Sequence, residues 1–171
     1  MTALVHRRAT LSDVRVIRSW DSDPDVIASG GVDDDWEWEK VLQENPAYLE
    51  VWLGVVGIDP IGVVVLLDAT HDPSKYWGSP EPGVWALDIW IGSSEHRGHG
   101  WGTAMMLHAL RRCFDRHGAR EVRIDPLDSN RRAIAFYRKL GFKDVGVQQF
   151  GQDTCWVMNY SRQRWLDNQE K

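Results

Sequence analysis

The sequence predicts a mixed α/β domain, of the α/β or α+β class, because strand-like and helix-like runs alternate along it. Short β-branched runs such as IGVVVLLD (61–68) are bounded by turn residues, and amphipathic runs such as TAMMLHALRRCF (103–114) follow later strands. At 171 residues the chain has the length of one domain. No repeat or interdomain linker interrupts it. We therefore expect residues 1–171 to form a single domain on one mixed sheet.

The first half is expected to begin with a strand at LVHRRAT and a helix whose first turn is closed by a capping box between Thr10 and Asp13. Two helices and a hairpin follow. In order, the expected elements are a strand at 4–10, a helix at 11–19, a short helix within 21–35, a helix from Trp36 ending before Pro46, and a hairpin of strands 48–56 and 61–68.

The second half opens with a long loop, ATHDPSKYWGSPEPG (69–83), and loops of this length in a domain are often functional. Crossover helices then alternate with strands. The expected elements are a strand at 84–91, a helix at 103–117, a strand at 121–125, a helix at 130–140 stopped by Gly141, and strands at 142–147 and 154–160. The polar tail from Ser161 is expected to fray.

Charge is distributed unevenly along the chain. The formal net charge is −5, but Asp21 to Glu95 holds sixteen Asp and Glu against two Lys, a net charge of −14. From His96 to Lys171, fourteen Lys and Arg exceed eight acids and give +6, and the first twenty residues contribute +3. Chance clustering on a solvated surface would explain this pattern. The alternative is two ligands of opposite charge, a cation beside the first half and an anion beside the second.

The composition disfavours several classes of protein. No basic stripe with interleaved aromatic residues is present, so nucleic acid is not an expected partner. No apolar run is long enough to span a membrane and the first ten residues lack an apolar signal core, so we expect no membrane association and a cytoplasmic location. Cys113 and Cys155 match no disulfide framework, and the histidines form no HExxH motif. We expect both thiols to be reduced and buried, and no metal.

Three alternating glycines, Gly98, Gly100 and Gly102, stand between a predicted strand and a predicted helix. A glycine turn at a helix N-terminus binds phosphate well, because its N–H groups point outward and the helix adds partial positive charge. The alternative is a capping turn without a ligand. The Walker pattern GxxxxGK[ST] is absent, and the dinucleotide pattern GxGxxG is also missing.

Two motifs resemble the GCN5-related N-acetyltransferase (GNAT) family. RGHGWG (97–102) fits its Q/R-x-x-G-x-G/A signature, and NRRAIAFYRKLGF (130–142) is similar to its second block, N-x-x-A-x-x-x-Y-x-K-x-G-F. The resemblance implies a mixed, V-split sheet of about seven strands with about four helices, and acetyl-CoA in the split. The residues that it implies for acetyl-CoA are Ile89, Trp90, Ile91, Arg97, Gly98, His99, Gly100, Trp101, Gly102, Thr103, Asn130, Ala133, Phe136, Tyr137 and Lys139.

Acetyl transfer to an amine needs a base for the ammonium group, donors for the oxyanion and a proton for the leaving thiolate. Asp88 lies among apolar residues of a predicted strand, so it is either a base for the amine, directly or through water, or a carboxylate satisfied by a backbone or Trp N–H. The family places the tyrosine that matches Tyr137 beside the sulfur, as general acid or hydrogen-bond donor. The alternative for Tyr137 is packing. Transfer is expected to be direct.

The run from Pro82 to Phe142 is also similar to the aminoglycoside 6′-N-acetyltransferases of this superfamily, which have acids at the positions of Asp88 and Asp125. Asp125 alone also fits an Asx turn before Pro126. The resemblance implies an acceptor site that binds a small polycationic amine. Its expected residues are Tyr76, Trp77, Glu81, Asp88, Asp125 and Asp153. Ten tryptophans exceed the usual need of a core, so some are expected to line a cleft.

Two alternatives stay open. The same reaction could act on a polyamine, a small metabolite or a protein N-terminus. The chain could also bind an acyl-CoA or an aminoglycoside without turnover. We expect a monomer or a weak homodimer.

Overall fold

The computed structural model describes residues 3–30 and 36–170, and its strands form one sheet. The strands are β1 (Leu4–Arg8), β2 (Leu49–Val56), β3 (Asp59–Asp68), β4 (Val84–Ile91), β5 (Glu121–Ile124), β6 (Lys143–Phe150) and β7 (Asp153–Ser161). Their order in the sheet is β1-β2-β3-β4-β5-β7-β6. All neighbours are antiparallel except β4 and β5, which run parallel. The mixed seven-stranded sheet confirms the predicted fold class.

Six α-helices occur among the described residues, where about four were expected. They are α1 (Val14–Asp21), α2 (Pro24–Gly30), α3 (Trp38–Glu44), α4 (Trp101–Arg111), α5 (Arg131–Leu140) and α6 (Arg162–Gln169). A 3-10 turn (Leu11–Asp13) precedes α1, and a π-helical turn (Arg112–Arg116) extends α4. Within the described residues, no helix has the length and apolar character needed to cross a membrane.

The prediction of a frayed tail is wrong, because α6 begins directly after β7. Its Trp165 is 3% exposed, stacks on Phe114 at 5.5 Å between ring centroids, and donates from Nε1 to Asp115 at 2.7 Å. A single aromatic residue in a polar segment therefore anchors the helix to the core. Helical periodicity does not reveal such an anchor, since most of the other α6 residues are exposed.

The predicted helix starts are mostly confirmed. The N–H of Thr10 donates to Asp13 Oδ2 at 2.8 Å, as a capping box requires, and Asn130 Oδ1 accepts the N–H of Ala133 at 3.1 Å at the start of α5. Helix α4 begins two residues earlier than expected, so Gly102 lies within its first turn.

Packed side chains cover both faces of the sheet. One face holds α4, whose Met105, Met106 and Leu110 are fully buried. The other holds α1 and α3, with Ile17 and Trp38 buried against β2 and β3. Strand β4 pairs with β5 only from Val84 to Ala86, and then continues to Ile91 beside β3 alone. This divergence is the predicted V-shaped split at the centre of the sheet.

Candidate active site

A cavity of about 600 Å³ lies beside the split. Its walls come from helices α2 and α3, the loop between β3 and β4, the middle of β4, the end of β5 and the first turns of α5. Seven of the described lining residues are acidic and one is basic: Asp21, Glu37, Glu44, Asp72, Asp88, Asp125 and Asp153 against Lys40. Such a lining attracts cations and lowers their free energy inside the cavity.

Asp88 lies in the middle of β4. Its side chain is on the same face of the sheet as that of Trp90, which is not the face that holds α4. The carboxylate is largely buried, and the negative charge of Asp125 lies nearby. Burial first, and then the charge of Asp125, raise the pKa of Asp88 to about 7. A carboxyl group with that pKa takes up and releases a proton near neutral pH, as a general base must.

Asp125 follows β5 directly and lies across the split from β4. Its Oδ2 accepts a hydrogen bond of 2.6 Å from the Tyr76 hydroxyl, which belongs to the loop between β3 and β4. Burial and the charge of Asp125 raise the pKa of Tyr76 well above its ordinary value, so the phenol keeps its proton. The loop and the end of β5 are therefore joined within the cavity wall.

Tyr137 lies on α5 and is 8% exposed, with its side chain in the cavity lining. Burial first, and then the charges of Asp88 and Asp125, raise its pKa well above the usual range. The structure thus brings the two predicted catalytic residues to one cavity. The Tyr137 phenol remains a hydrogen-bond donor at neutral pH.

Aromatic residues form much of the remaining wall. The Tyr76 ring stacks on Phe150 with centroids 4.5 Å apart, and Trp77 meets the same ring edge-on at 5.2 Å. Trp36 and Trp90 also line the cavity, and the buried Nε1 of each has no acceptor among the described residues. Both indole N–H groups are therefore buried donors without a protein acceptor in the described part of the chain.

The unpaired edge of β4 presents backbone donors to the split. Gly92 donates to Ile61 of β3 at 2.9 Å and Val84 accepts from Ala69 at 3.0 Å, so even-numbered residues of β4 face β3. In an antiparallel pair the alternate residues face the other way. The N–H groups of Ile89 and Ile91 therefore point into the split. The backbone N–H of Trp90 is directed to β3, and only its side chain reaches the cavity. Trp90 therefore does not present a backbone donor to the cofactor side of the split, where it was expected.

The glycine loop, residues 97–102, fits an anionic group. Gly98 and Gly100 have φ angles of +78° and +82°, and a Cβ atom on either would meet no atom within 4 Å. The N–H groups of Gly98, Gly100 and Gly102 donate to no other described residue. They lie at the N-terminus of α4, an 11-residue helix, where partial positive charge collects. This backbone cradle suits a pyrophosphate group.

The side chains predicted to bind the cofactor are not all directed toward that cradle. Arg97 bonds to Asp25 at 2.8 Å and to the carbonyl of Gly92 at 3.0 Å, and His99 Nε2 lies 3.0 Å from the carbonyl of Glu95. Asn130 caps α5 but also lines the cavity beside Ala133. Phe136 lies near the loop, 3.7 Å from the position that a Cβ on Gly102 would take. Trp101 is half-buried, whereas Thr103 and Lys139 are exposed.

One predicted acceptor residue lies elsewhere. Glu81 is exposed, is not among the described lining residues, and its carbonyl accepts from Thr70 at 3.4 Å. The sequence analysis did not single out several of the described lining residues: Asp21, Trp36, Glu37, Glu44, Asp72 and Cys155. The acidic excess of the first half was the available signal for the four N-terminal acids.

Cys113 and Cys155 are buried and form no disulfide bond within the described residues, as expected, and Cys155 also lines the cavity. Across residues 3–30 and 36–170, no group of three or more His, Cys, Asp and Glu is arranged to hold a metal ion.

Comparison with known proteins gives a consistent picture. The family described as Acetyltransferase (GNAT) domain matches residues 9–150. The aminoglycoside N(6′)-acetyltransferase type 1 of Klebsiella pneumoniae and that of Serratia marcescens are each 27% identical over 97 residues, which is 56% of this chain and 48% of the relative. The chain thus matches about half the length of these curated relatives.

Solved structures share the fold over almost the whole chain. The aminoglycoside acetyltransferase AAC(6′)-Ib in complex with coenzyme A has a TM-score of 0.85 at 21% identity, with 98% of this chain and 99% of that chain covered. A spermidine N-acetyltransferase SpeG chimera from Vibrio cholerae has a TM-score of 0.77 at 17% identity, with 96% and 98% covered.

Proposed function

Because this chain belongs to the GNAT acetyltransferase family, we propose that it acetylates the 6′-amine of aminoglycoside antibiotics with acetyl-CoA. Acetyl-CoA would supply the acetyl group as a thioester. The glycine loop would hold its pyrophosphate, and the N–H groups of Ile89 and Ile91 would bind its amide portion or the oxyanion. In the cytoplasm, such an enzyme would confer resistance to those antibiotics.

The proposed roles of the acidic and phenolic groups follow from their environments. Asp88 accepts a proton from the substrate ammonium, directly or through one water. Tyr137 Oη holds its proton at neutral pH and donates a hydrogen bond to the thiolate that leaves. Asp125 and Asp153 bind further ammonium groups, while Trp77 presents an aromatic face. No residue needs to become acetylated.

The observation that carries the proposal is the cavity lining, whose described residues include seven carboxylates and one lysine. An aminoglycoside has several ammonium groups among hydroxyl and ether oxygens. The carboxylates suit the ammonium groups, and the aromatic wall that includes Tyr76 and Trp77 suits the flat faces of the sugar rings. The relatives named aminoglycoside N(6′)-acetyltransferase support the same substrate.

Thiol release from acetyl-CoA tests the proposal. The panel contains aminoglycosides with a 6′-amine, analogues with a 6′-hydroxyl, spermidine and a short peptide. We expect turnover with the 6′-amine compounds and none with the 6′-hydroxyl analogues. Equal turnover of the two antibiotic groups would refute the 6′ position, and turnover of peptide alone would refute the antibiotic assignment.

A polyamine is the second candidate substrate. The acidic lining also suits spermidine, and two spermidine acetyltransferase structures share the fold. Turnover of spermidine in the same panel, without turnover of any antibiotic, would establish this alternative.

A further inference from the structure

The guanidinium group of Arg97 joins the glycine loop to two other parts of the molecule. Its Nη1 lies 2.8 Å from Asp25 Oδ2, and its Nη2 lies 3.6 Å from Asp23. The same group bonds to the end of β4, at 3.0 Å from the carbonyl of Gly92 and 3.4 Å from that of Ile91. Three of the five N–H donors of Arg97 thus bond to protein acceptors in α2 and at the end of β4.

Asp25 belongs to α2, which forms one wall of the acidic cavity. Val26, Ile27 and Ser29 of this helix line the cavity, yet none of its seven residues is buried. Packing therefore contributes little to holding α2 in place. The bond to Arg97, 72 positions away in sequence, is a direct tie between this wall and the rest of the fold.

The backbone at Gly92 packs too closely against Trp20 to accommodate a side chain. A Cβ atom there would lie 2.1 Å from Nε1 of Trp20, which belongs to α1. The carbonyl that Arg97 binds is therefore fixed by close packing of α1 on β4. Arg97 thus links a closely packed point at the end of β4, the glycine loop and the weakly packed α2.

We propose that Arg97 is a positioning residue that couples the cofactor loop to the acceptor wall, and not a phosphate ligand. This inference rests on the proposed binding of coenzyme A to the glycine loop. A pyrophosphate bound to the N–H groups of Gly98, Gly100 and Gly102 restrains the loop, and with it the guanidinium of Arg97. Asp25 transmits that restraint to α2. Coupling of this kind is reciprocal, so an acceptor that orders α2 also strengthens cofactor binding.

Hydrogen–deuterium exchange of α2, with and without coenzyme A, tests the coupling without any acceptor. The variant carries Asp23→Asn and Asp25→Asn, both at surface-accessible side chains. We expect coenzyme A to slow exchange within Pro24–Gly30 of the wild type by about threefold, the scale of one exposed ion pair, and to leave the variant unchanged. Coenzyme A affinity, measured by calorimetry, should fall by less than twofold in the variant.

Glu39→Gln provides the matched control. Glu39 pairs with Arg18 between α3 and α1, so it is an exposed arginine–carboxylate pair in the same wall that does not reach the loop. This variant should keep the protection of α2. Arg97→Lys should weaken that protection, because a lysine ammonium cannot bind Asp25 and two carbonyls in the same planar arrangement.

Three outcomes contradict the coupling. Protection of α2 that persists in the double variant removes Asp25 from the path. Tighter binding of coenzyme A in the double variant would show that the acids compete with phosphate for Arg97, which would then be a ligand. A wild type that does not bind coenzyme A would overturn the proposed function as well, whereas the first two outcomes leave that function intact.

Discussion

Two buried carboxylates, on strands either side of β3, have opposite electrostatic surroundings. Glu50 of β2 lies on the face that holds α4, opposite Leu66, whereas Asp88 of β4 lies on the other face, opposite Val65. Burial alone would raise the pKa of both groups. Hydrogen bonds from Arg112 and Trp52 outweigh burial at Glu50 and lower its pKa to about 2. At Asp88 the nearest charge is Asp125, and the pKa rises to about 7.

The partners explain the difference. Glu50 accepts two bonds from Arg112, at 2.7 and 3.0 Å, and one from Trp52 at 2.8 Å, while His117 Nε2 lies 2.9 Å away. Its charge is compensated within the protein, so it stabilises the fold and stays ionised. Asp88 keeps an uncompensated position beside an open cavity. An acid removed from water is therefore available to bind and release a proton where the fold places no cation beside it.

The largest expected effect comes from removing the cation of Glu50. Arg112→Leu should lower the free energy of unfolding by about 3 kcal/mol at pH 7, because a buried carboxylate loses its bidentate partner. Urea denaturation measures this. The pKa of Glu50 is lowered in the folded state, so its stabilisation is present above pH 4.5 and is lost as the pH falls toward 2.

The gap between Arg112→Leu and the wild type should therefore shrink in acid. The kcat of the folded variant should match the wild type, since Arg112 lies on the opposite face from Asp88. A gap that stays constant from pH 7 to pH 3 would show that the lost stability comes from packing of Arg112 on Trp52, whose ring lies 4.4 Å away.

Asp88→Asn is expected to lower the rate while the protein stays folded. The kcat should fall about a hundredfold or more, the scale of lost general-base catalysis, while acetyl-CoA affinity stays unchanged. In the wild type, kcat/KM should rise with pH through about 7 as Asp88 of the free enzyme loses its proton, and the variant should lack this step. Turnover and calorimetry measure the two effects. An unchanged kcat would remove Asp88 from the mechanism.

The stability of Asp88→Asn should show the reverse pH trend from that of Arg112→Leu. Because the pKa of Asp88 is raised in the folded state, ionisation destabilises the wild type as the pH rises from about 4 to about 7. The variant lacks this penalty. Its unfolding midpoint relative to the wild type should increase over that interval, and a flat difference would contradict the raised pKa of Asp88.

Tyr137→Phe sharpens the comparison from the other side of the cavity. The change removes one hydroxyl from a well-packed ring, so kcat should fall about tenfold with little change in the melting temperature. Steady-state kinetics and thermal unfolding are the measurements. A drop in melting temperature with normal kcat would make Tyr137 a packing residue.

The smallest predicted effect concerns Tyr76→Phe. Loss of the 2.6 Å bond to Asp125 should raise the KM of the acceptor about threefold, the scale of one hydrogen bond, with kcat nearly constant. Glu81→Gln is the matched control, because Glu81 lies in the same loop outside the described cavity lining. Equal changes in both variants would point to a general loosening of the loop.

Most of the fold could be predicted because its elements carry local signals. Strand β4 has the predicted bounds, and α5 is capped by Asn130 and Gly141, whose capping roles are readable from residue type. Helix α6 could not be predicted, since one buried Trp165 in a polar segment holds it by contacts made across the chain.

The candidate site likewise contains residues that could be predicted from the sequence and contacts that could not. Asp88, Asp125 and Tyr137 could be named because an acid within an apolar strand and a motif tyrosine are unusual in sequence, and the cavity brings them together. The bond of Arg97 to Asp25 could not be foreseen, because it depends on where α2 lies. The face of each β4 backbone group was equally hidden, since it follows from the register with β3.

The backbone N–H groups of Ile89 and Ile91 also bear on how readily mutation could weaken the binding of an inhibitor. A compound that binds through these two backbone N–H groups contacts main-chain atoms that every coded residue except proline has. Mutation can reshape the acidic lining one side chain at a time, but proline alone deletes a backbone donor, and proline there would disturb the central strand. Inhibitors anchored to the split should therefore lose potency to point mutation more slowly than inhibitors anchored to the carboxylates.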